Sequence, residues 1–113
     1  INEWRLSDLG GINHACEMET SLMLFQEEKN VRKNKIQDNP LRRSKYTGLD
    51  LLSGGKVGVS ATFKELSENG VIGNPSLSTK ERGEKLFNII TENISEFLCD
   101  FSKWPKPLNG KND

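Results

Sequence analysis

Apolar residues along this chain follow a helical period in two places and little period between them. The first is EMETSLMLFQEE, residues 17–28, where Met18, Leu22 and Phe25 fall at i, i+4 and i+7 and Met23 and Leu24 widen the stripe. A stripe that broad predicts a helix buried over most of its surface. Glu17 and Glu19 open it, where carboxylates favour the positive end of the helix dipole. The second is longer: Leu86, Ile90, Ile94 (or Phe97) and Phe101 recur every three or four residues, through to about Ser102. Ser78 followed three residues later by Glu81 predicts a capping box at its start, and Trp104–Pro105 with Pro107 stops it. Gly83 lies inside this helix at a cost of about 1 kcal/mol against alanine, so close approach of neighbouring backbone is expected there.

The remainder is punctuated rather than periodic. INEWRLSDLGGIN reads as a short helix or turn leading into a loop. Residues 29–45 are polar, charged and broken by Asn39–Pro40, which predicts an exposed connector or a segment that packs only on a partner chain. In SGGKVGVS, the alternation of Val57 and Val59 after a glycine-rich run predicts a loop followed by a short strand. SENGVIGNP supplies turn signals at Asn69–Gly70 and Gly73–Asn74–Pro75. The tail LNGKND, residues 108–113, reads as disordered, and no internal repeat is present. Two helices and one or two strands are too few to close a sheet. The chain is therefore expected to be one part of a larger α/β unit.

At 113 residues the chain is one domain at most. Lys and Arg number 16, as do Asp and Glu, so no excess charge points to an anionic partner. The basic run Arg32–Lys35 and the cluster Arg42, Arg43 and Lys45 have no interleaved aromatics for base stacking, and no nucleic-acid partner is expected. No apolar run is long enough to span a bilayer, so no membrane partner is expected either. Cys16 and Cys99 lie too far apart to suggest a disulfide framework, which predicts free thiols in a reducing cytoplasm. The first residue is Ile1 rather than methionine, the start expected of a piece of a longer protein.

The densest chemistry sits where the first helix begins. HACEMETSLML gathers His14, Cys16, Glu17 and Glu19 within six residues. Imidazole and carboxylate suit a divalent metal, which takes them at about 2.0–2.2 Å. They equally suit proton transfer to a leaving nitrogen by a histidine of near-neutral pKa. The stretch cannot complete a zinc site unaided, because four ligands are the rule and His14 is the one histidine in the sequence. A solvated first turn with ordinary carboxylates is the plainer alternative.

These residues also carry a family resemblance. HACEMETSLML resembles the H-A-G-E-x-E-T-S-L-M-L signature of the creatinine amidohydrolase (creatininase) family. FKELSENGVIGNPSLSTKERGEKL is similar to the family's W-x-E-L-T-x-x-G-V-x-G-D-P-x-x-A-T-x-x-K-G-E-x-L. The two blocks follow in order at compatible spacing and fit the C-terminal half of a family member. The resemblance implies a three-layer α/β/α fold around a mostly parallel sheet, assembled as a homo-oligomer, usually a hexamer. It also implies metal-dependent hydrolysis of a C–N amide bond in a small cyclic amide, formamide or similar small-molecule substrate.

Residue by residue, the resemblance puts His14 at the family's proposed proton shuttle, beside a two-metal centre. Relatives with H-A-G-E lack a ligating glutamate in an earlier motif, which implies that Glu17 supplies that carboxylate to the metal. Glu19 matches a glutamate expected to orient His14 or a backbone amide. Phe63 stands where a tryptophan wall is usual, and the turn with Gly70 and Gly73 would line or gate the substrate cleft. A tight turn with positive φ explains those glycines equally well. Cys16 replaces a glycine, as a small residue tolerated on a buried turn. The member acting on creatinine covers its substrate with a tryptophan four residues before the histidine, and Gly10 stands there here. The family's E-x-H-G-x-H-L-P-x-x-T-D and N-G-H-G-G-N motifs are absent from the sequence. Zinc, manganese or iron is thus expected to be held mostly by a missing, complementary N-terminal half, with this chain inactive alone. The alternative is a non-catalytic remnant serving as an interaction or structural domain.

Overall fold

A computed structural model describes residues 3–41, 44, 46–47 and 50–105. Strand β1 (Ile12–His14) leads into helix α1 (Glu17–Glu27), followed by two 3₁₀ turns, Glu28–Asn30 and Lys33–Lys35. After a long irregular stretch come the single-turn helix α2 (Phe63–Leu66), strand β2 (Ile72–Gly73), a 3₁₀ turn at Pro75–Leu77, and helix α3 (Lys80–Phe101). The result is an α/β arrangement of helices beside a small sheet.

β1 and β2 pair antiparallel, with Ile12 opposite Gly73 and His14 opposite Ile72 across an irregularity. Asn39 extends the ladder on the far side of Gly73, exchanging two backbone hydrogen bonds of 2.8 Å with it. Gly73 is thus enclosed by backbone. Its φ is 146°, and a Cβ there would lie 2.4 Å from the Gly11 carbonyl oxygen and 2.6 Å from Cys16 Cβ. Only glycine fits. The buried Cys16 side chain occupies space that a side chain at position 73 would have needed.

The strand expected at Val57 and Val59 does not form. Both valines are exposed, and the Val57 N–H donates to the Tyr46 carbonyl at 2.9 Å without a strand forming there. The strands that do form come from stretches read as loop and turn. At three and two residues they are too short to show an alternating pattern.

The helix pair forms the body of the chain. Glu17, Ser21 and Leu24 form the buried line of α1, while Met18, Leu22 and Phe25 flank it half-buried. The inner line is displaced from the apolar stripe because α3 approaches over a glycine. A Cβ on Gly83 would sit 1.9 Å from the Ser21 carbonyl oxygen and 2.9 Å from Phe25 Cβ. The close backbone approach expected at Gly83 is found. Leu86, one turn on, is fully buried.

The α3 cap is one residue later than the Ser78–Glu81 pattern suggests. Thr79 is the cap, its hydroxyl accepting from the Arg82 N–H at 3.2 Å, while Ser78 Oγ donates to the Glu17 carbonyl at 3.2 Å. A capping box does form at α2, where the Thr62 N–H and hydroxyl both donate to Glu65 Oε2, at 2.7 and 2.8 Å. The Thr62 backbone and hydroxyl bonds hold the Glu65 carboxyl below the usual range.

At 1.5 Å rise per residue, α1 is about 16 Å long and α3 about 33 Å. α1 can therefore cover only the first half of α3. From Thr91 onward every described residue of α3 is exposed, including Ile94 and Phe101 of the expected apolar stripe. Among the described residues no helix is long and apolar enough to cross a membrane. The Arg42, Arg43 and Lys45 cluster and the tail at 108–113 lie outside the described residues.

Candidate active site

Between β1 and α1 the chain turns on a single strained residue. Ala15 has φ 49°, in the left-handed region that costs an L-residue about 1–2 kcal/mol. Its N–H donates to the Glu19 carboxylate, and its carbonyl accepts from Thr20 Oγ1 at 3.3 Å, so the first turn of α1 pins the elbow from both sides. The elbow leaves the His14 side chain half exposed at the strand end.

His14 Nδ1 lies 3.9 Å from Glu19 Oε2, beyond a hydrogen bond but within electrostatic reach. The Phe63 ring meets the imidazole edge-on, with centroids 4.8 Å apart and planes at 73°. His14 and Glu19 both line an open cleft of about 500 Å³. Met23 of α1 continues one wall, Val31, Arg32, Lys35 and Ile36 form another, and Asn69, Val71 and Pro75 close it. His14, Glu19 and Phe63 are thus brought together, whereas spacing alone had paired His14 with Glu17.

Glu17 goes elsewhere. Its side chain is completely buried and its carboxylate is surrounded by donors. Oε1 accepts from Ser7 N–H at 2.9 Å and Ser7 Oγ at 2.5 Å, and the Leu6 N–H reaches both oxygens at 3.2 Å. Oε2 pairs with the Arg82 guanidinium at 2.9 Å. Arg82 in turn donates to the Trp4 carbonyl at 2.7 Å and lies 4.1 Å over the Trp4 ring, while Trp4 Nε1 donates back to the Arg82 carbonyl at 3.0 Å. The carboxylate clamps the N-terminal segment to α3. A metal at Glu17 would have to displace Arg82 and the Ser7 donors. Among the described residues no three His, Cys, Asp or Glu side chains stand together as a metal would require. The donor set described here does not fit a complete metal site.

The glycines divide as well. Gly70 sits at φ 85° with open space at its Cβ position, and it does not line the cleft, although its neighbours Asn69 and Val71 do. Gly73 is consumed by the sheet. Gly10, at φ 98°, carries its missing Cβ position 2.2 Å from the Leu41 carbonyl oxygen, so no side chain, least of all an indole, fits there.

Behind the elbow, Asp50 locks the N-terminal loop. Its Oδ2 accepts from Arg5 Nη2 at 2.6 Å and from the Gly10 N–H at 3.0 Å, and its Oδ1 accepts from the Leu52 N–H at 3.1 Å. Burial raises the Asp50 pKa, but the Arg5 hydrogen bond and charge and the two N–H groups outweigh it, and the carboxyl stays below its usual range. None of the Arg82, Trp4, Arg5 or Asp50 roles follows from local spacing. Arg32 and Lys35 were visible only as part of a basic run.

With this geometry in hand, comparison with known proteins gives one match. The family model described as creatinine amidohydrolase matches residues 2–98, most of the chain. The chain belongs to the creatinine amidohydrolase (creatininase) family. The family is in general one of divalent-metal amidohydrolases acting on small molecules. No curated protein and no solved structure gave a match.

Proposed function

We propose that this chain is the part of a metal-dependent amidohydrolase that carries the proton shuttle, hydrolysing a C–N amide bond in a small cyclic amide, formamide or similar substrate. The observation that carries this is His14, exposed on the wall of a cleft with one carboxylate beside it. During hydrolysis the imidazole passes a proton to the departing nitrogen, which makes it a better leaving group. Glu19 braces the elbow through the Ala15 N–H and sets its carboxylate 3.9 Å from the His14 Nδ1. Phe63 limits the ring's movement. Glu17 holds the elbow in place through Arg82 and Ser7, a role that replaces the metal ligation expected of it. When bound, the metal supplies the activated water, and it is held mainly by residues beyond those described here. That complement is also what would complete a three-layer α/β/α fold, as a homo-oligomer or with a separate half, in the reducing compartment that suits two free thiols.

Replacing His14 by alanine in the assembled enzyme tests the reading. Turnover should fall by roughly 10²–10⁴-fold, the usual contribution of a positioned acid or base, with metal content and thermal stability unchanged. A variant that keeps full turnover, or loses its metal, removes the assignment.

A further inference from the structure

The wall of the cleft facing α1 carries two cations that nothing among the described residues neutralises. Lys33–Lys35 form a tight 3₁₀ turn, with the Lys35 N–H donating to the carbonyl of the preceding Arg32 at 2.8 Å. Arg32 and Lys35 both line the cleft. Lys33, between them, is turned away and paired with Glu28, which Lys80 also approaches at 3.9 Å. Neither Arg32 nor Lys35 makes an ion pair or a side-chain hydrogen bond among the described residues.

The opposing charge is slight. Glu19 is the one carboxylate lining the cleft, and its Oε2 is committed to the Ala15 N–H. Arg32 and Lys35 against Glu19 leave a single positive side-chain charge in excess. The rest of the lining is largely apolar: Met23, Val31, Ile36 and Val71.

Resting on the amidohydrolase reading, we propose that the substrate is an amide that also bears a carboxylate, which Arg32 and Lys35 bind while the amide lies toward His14. One excess charge matches a monoanion better than a phosphate dianion. An arginine fork offers a carboxylate two parallel hydrogen bonds, and the lysine adds a point charge beside it. The apolar lining suits a short carbon chain joining the two ends.

Succinamate and its neutral analogue succinamide, nearly equal in shape, form the probe pair. Each is titrated into the ¹⁵N-labelled 113-residue chain, following the amide signals of Thr20, Val31, Arg32 and Lys35. Succinamate should bind about tenfold more tightly, the scale of one charge-assisted contact, and the preference should shrink as salt is raised. Changing Arg32→Gln and Lys35→Gln together should bring the two affinities level. Both residues are exposed, so an unchanged far-ultraviolet spectrum is expected of the double variant. His14→Ala should leave the preference intact, because binding does not require proton transfer. Equal affinities, a preference that survives the double variant, or no shift with either probe at millimolar concentration overturns the proposal. The two readings fail separately. Selective binding through Arg32 and Lys35 by an assembled enzyme that hydrolyses no amide sinks the amidohydrolase reading and leaves the anion site standing. Hydrolysis with neutral amides preferred does the reverse.

Discussion

Residues 80–90 and 91–101 of α3 belong to one continuous helix with one apolar period, but among the described residues only the first half has a partner. In the first, Gly83 meets the Ser21 backbone, Leu86 is fully enclosed and Arg82 is clamped between Glu17 and Trp4. In the second, Ile94, Phe97, Leu98 and Phe101 are all more than half exposed, and Phe97, Phe101 and Trp104 cover one another, with centroids 5.2–6.2 Å apart. Period alone therefore marks which face can be buried. Burial itself depends on a neighbour long enough to reach, and α1 ends too soon.

The sharpest way to break this contrast is through Glu17. Glu17→Ala removes a fully buried carboxylate and leaves Arg82 without its counter-charge, so a loss of about 3–5 kcal/mol is expected in urea unfolding, independent of added metal. Stability restored by zinc or manganese in the wild-type chain but not in the variant would instead return Glu17 to the metal.

Matched truncations in the two halves come next. Leu86→Ala should cost about 2–5 kcal/mol, as for a filled core position. Leu98→Ala should stay within about 0.5 kcal/mol, as for a surface site. If the two losses prove equal, the far half is covered in solution, and sedimentation of the same samples will show the associated species.

Acid should loosen the packed body before it touches the free helix end. The folded Asp50 pKa is depressed, so its contribution is fully present above the unfolded value. It is lost as pH falls through about 4 toward the folded value. Asp50→Asn should flatten the acid limb of a stability–pH curve while lowering stability at neutral pH. An acid limb that is unchanged in the variant assigns it to other carboxylates, Asp38 first. Burial raises the Asp38 carboxyl, but the Ser76 hydroxyl and N–H and the Asn74 side chain hold it below the usual range.

The smallest expected effect is at the elbow. Ala15→Gly relieves the left-handed strain at φ 49° and should gain up to about 1 kcal/mol, less the added entropy of the unfolded chain. A loss in thermal melting would mean that the methyl group packs in a way φ does not reveal.

How much of this was legible beforehand follows from range. Both long helices and the close approach at Gly83 followed from local spacing, and the bond from the Ala15 N–H to Glu19 is one of the two roles the resemblance implied for that carboxylate. The α3 cap was misjudged by one residue, because Ser78 and Thr79 are both competent and the choice fell to the Glu17 carbonyl that takes Ser78. The sheet was missed because pairs so short carry no period.

Local period and capping chemistry act over three or four residues, so the sequence by itself determined where helices form and that His14 lies just ahead of one. Tertiary structure decided which charge meets which. Glu17 finds Arg82 across 65 residues, and Asp50 finds Arg5 across 45. Those pairings depend on which backbones approach within hydrogen-bond distance, and that is set by packing at Gly10, Gly73 and Gly83. The same packing turned Glu17 inward, left His14 facing the cleft, and put Arg32 and Lys35 across from it with no counter-charge of their own among the described residues.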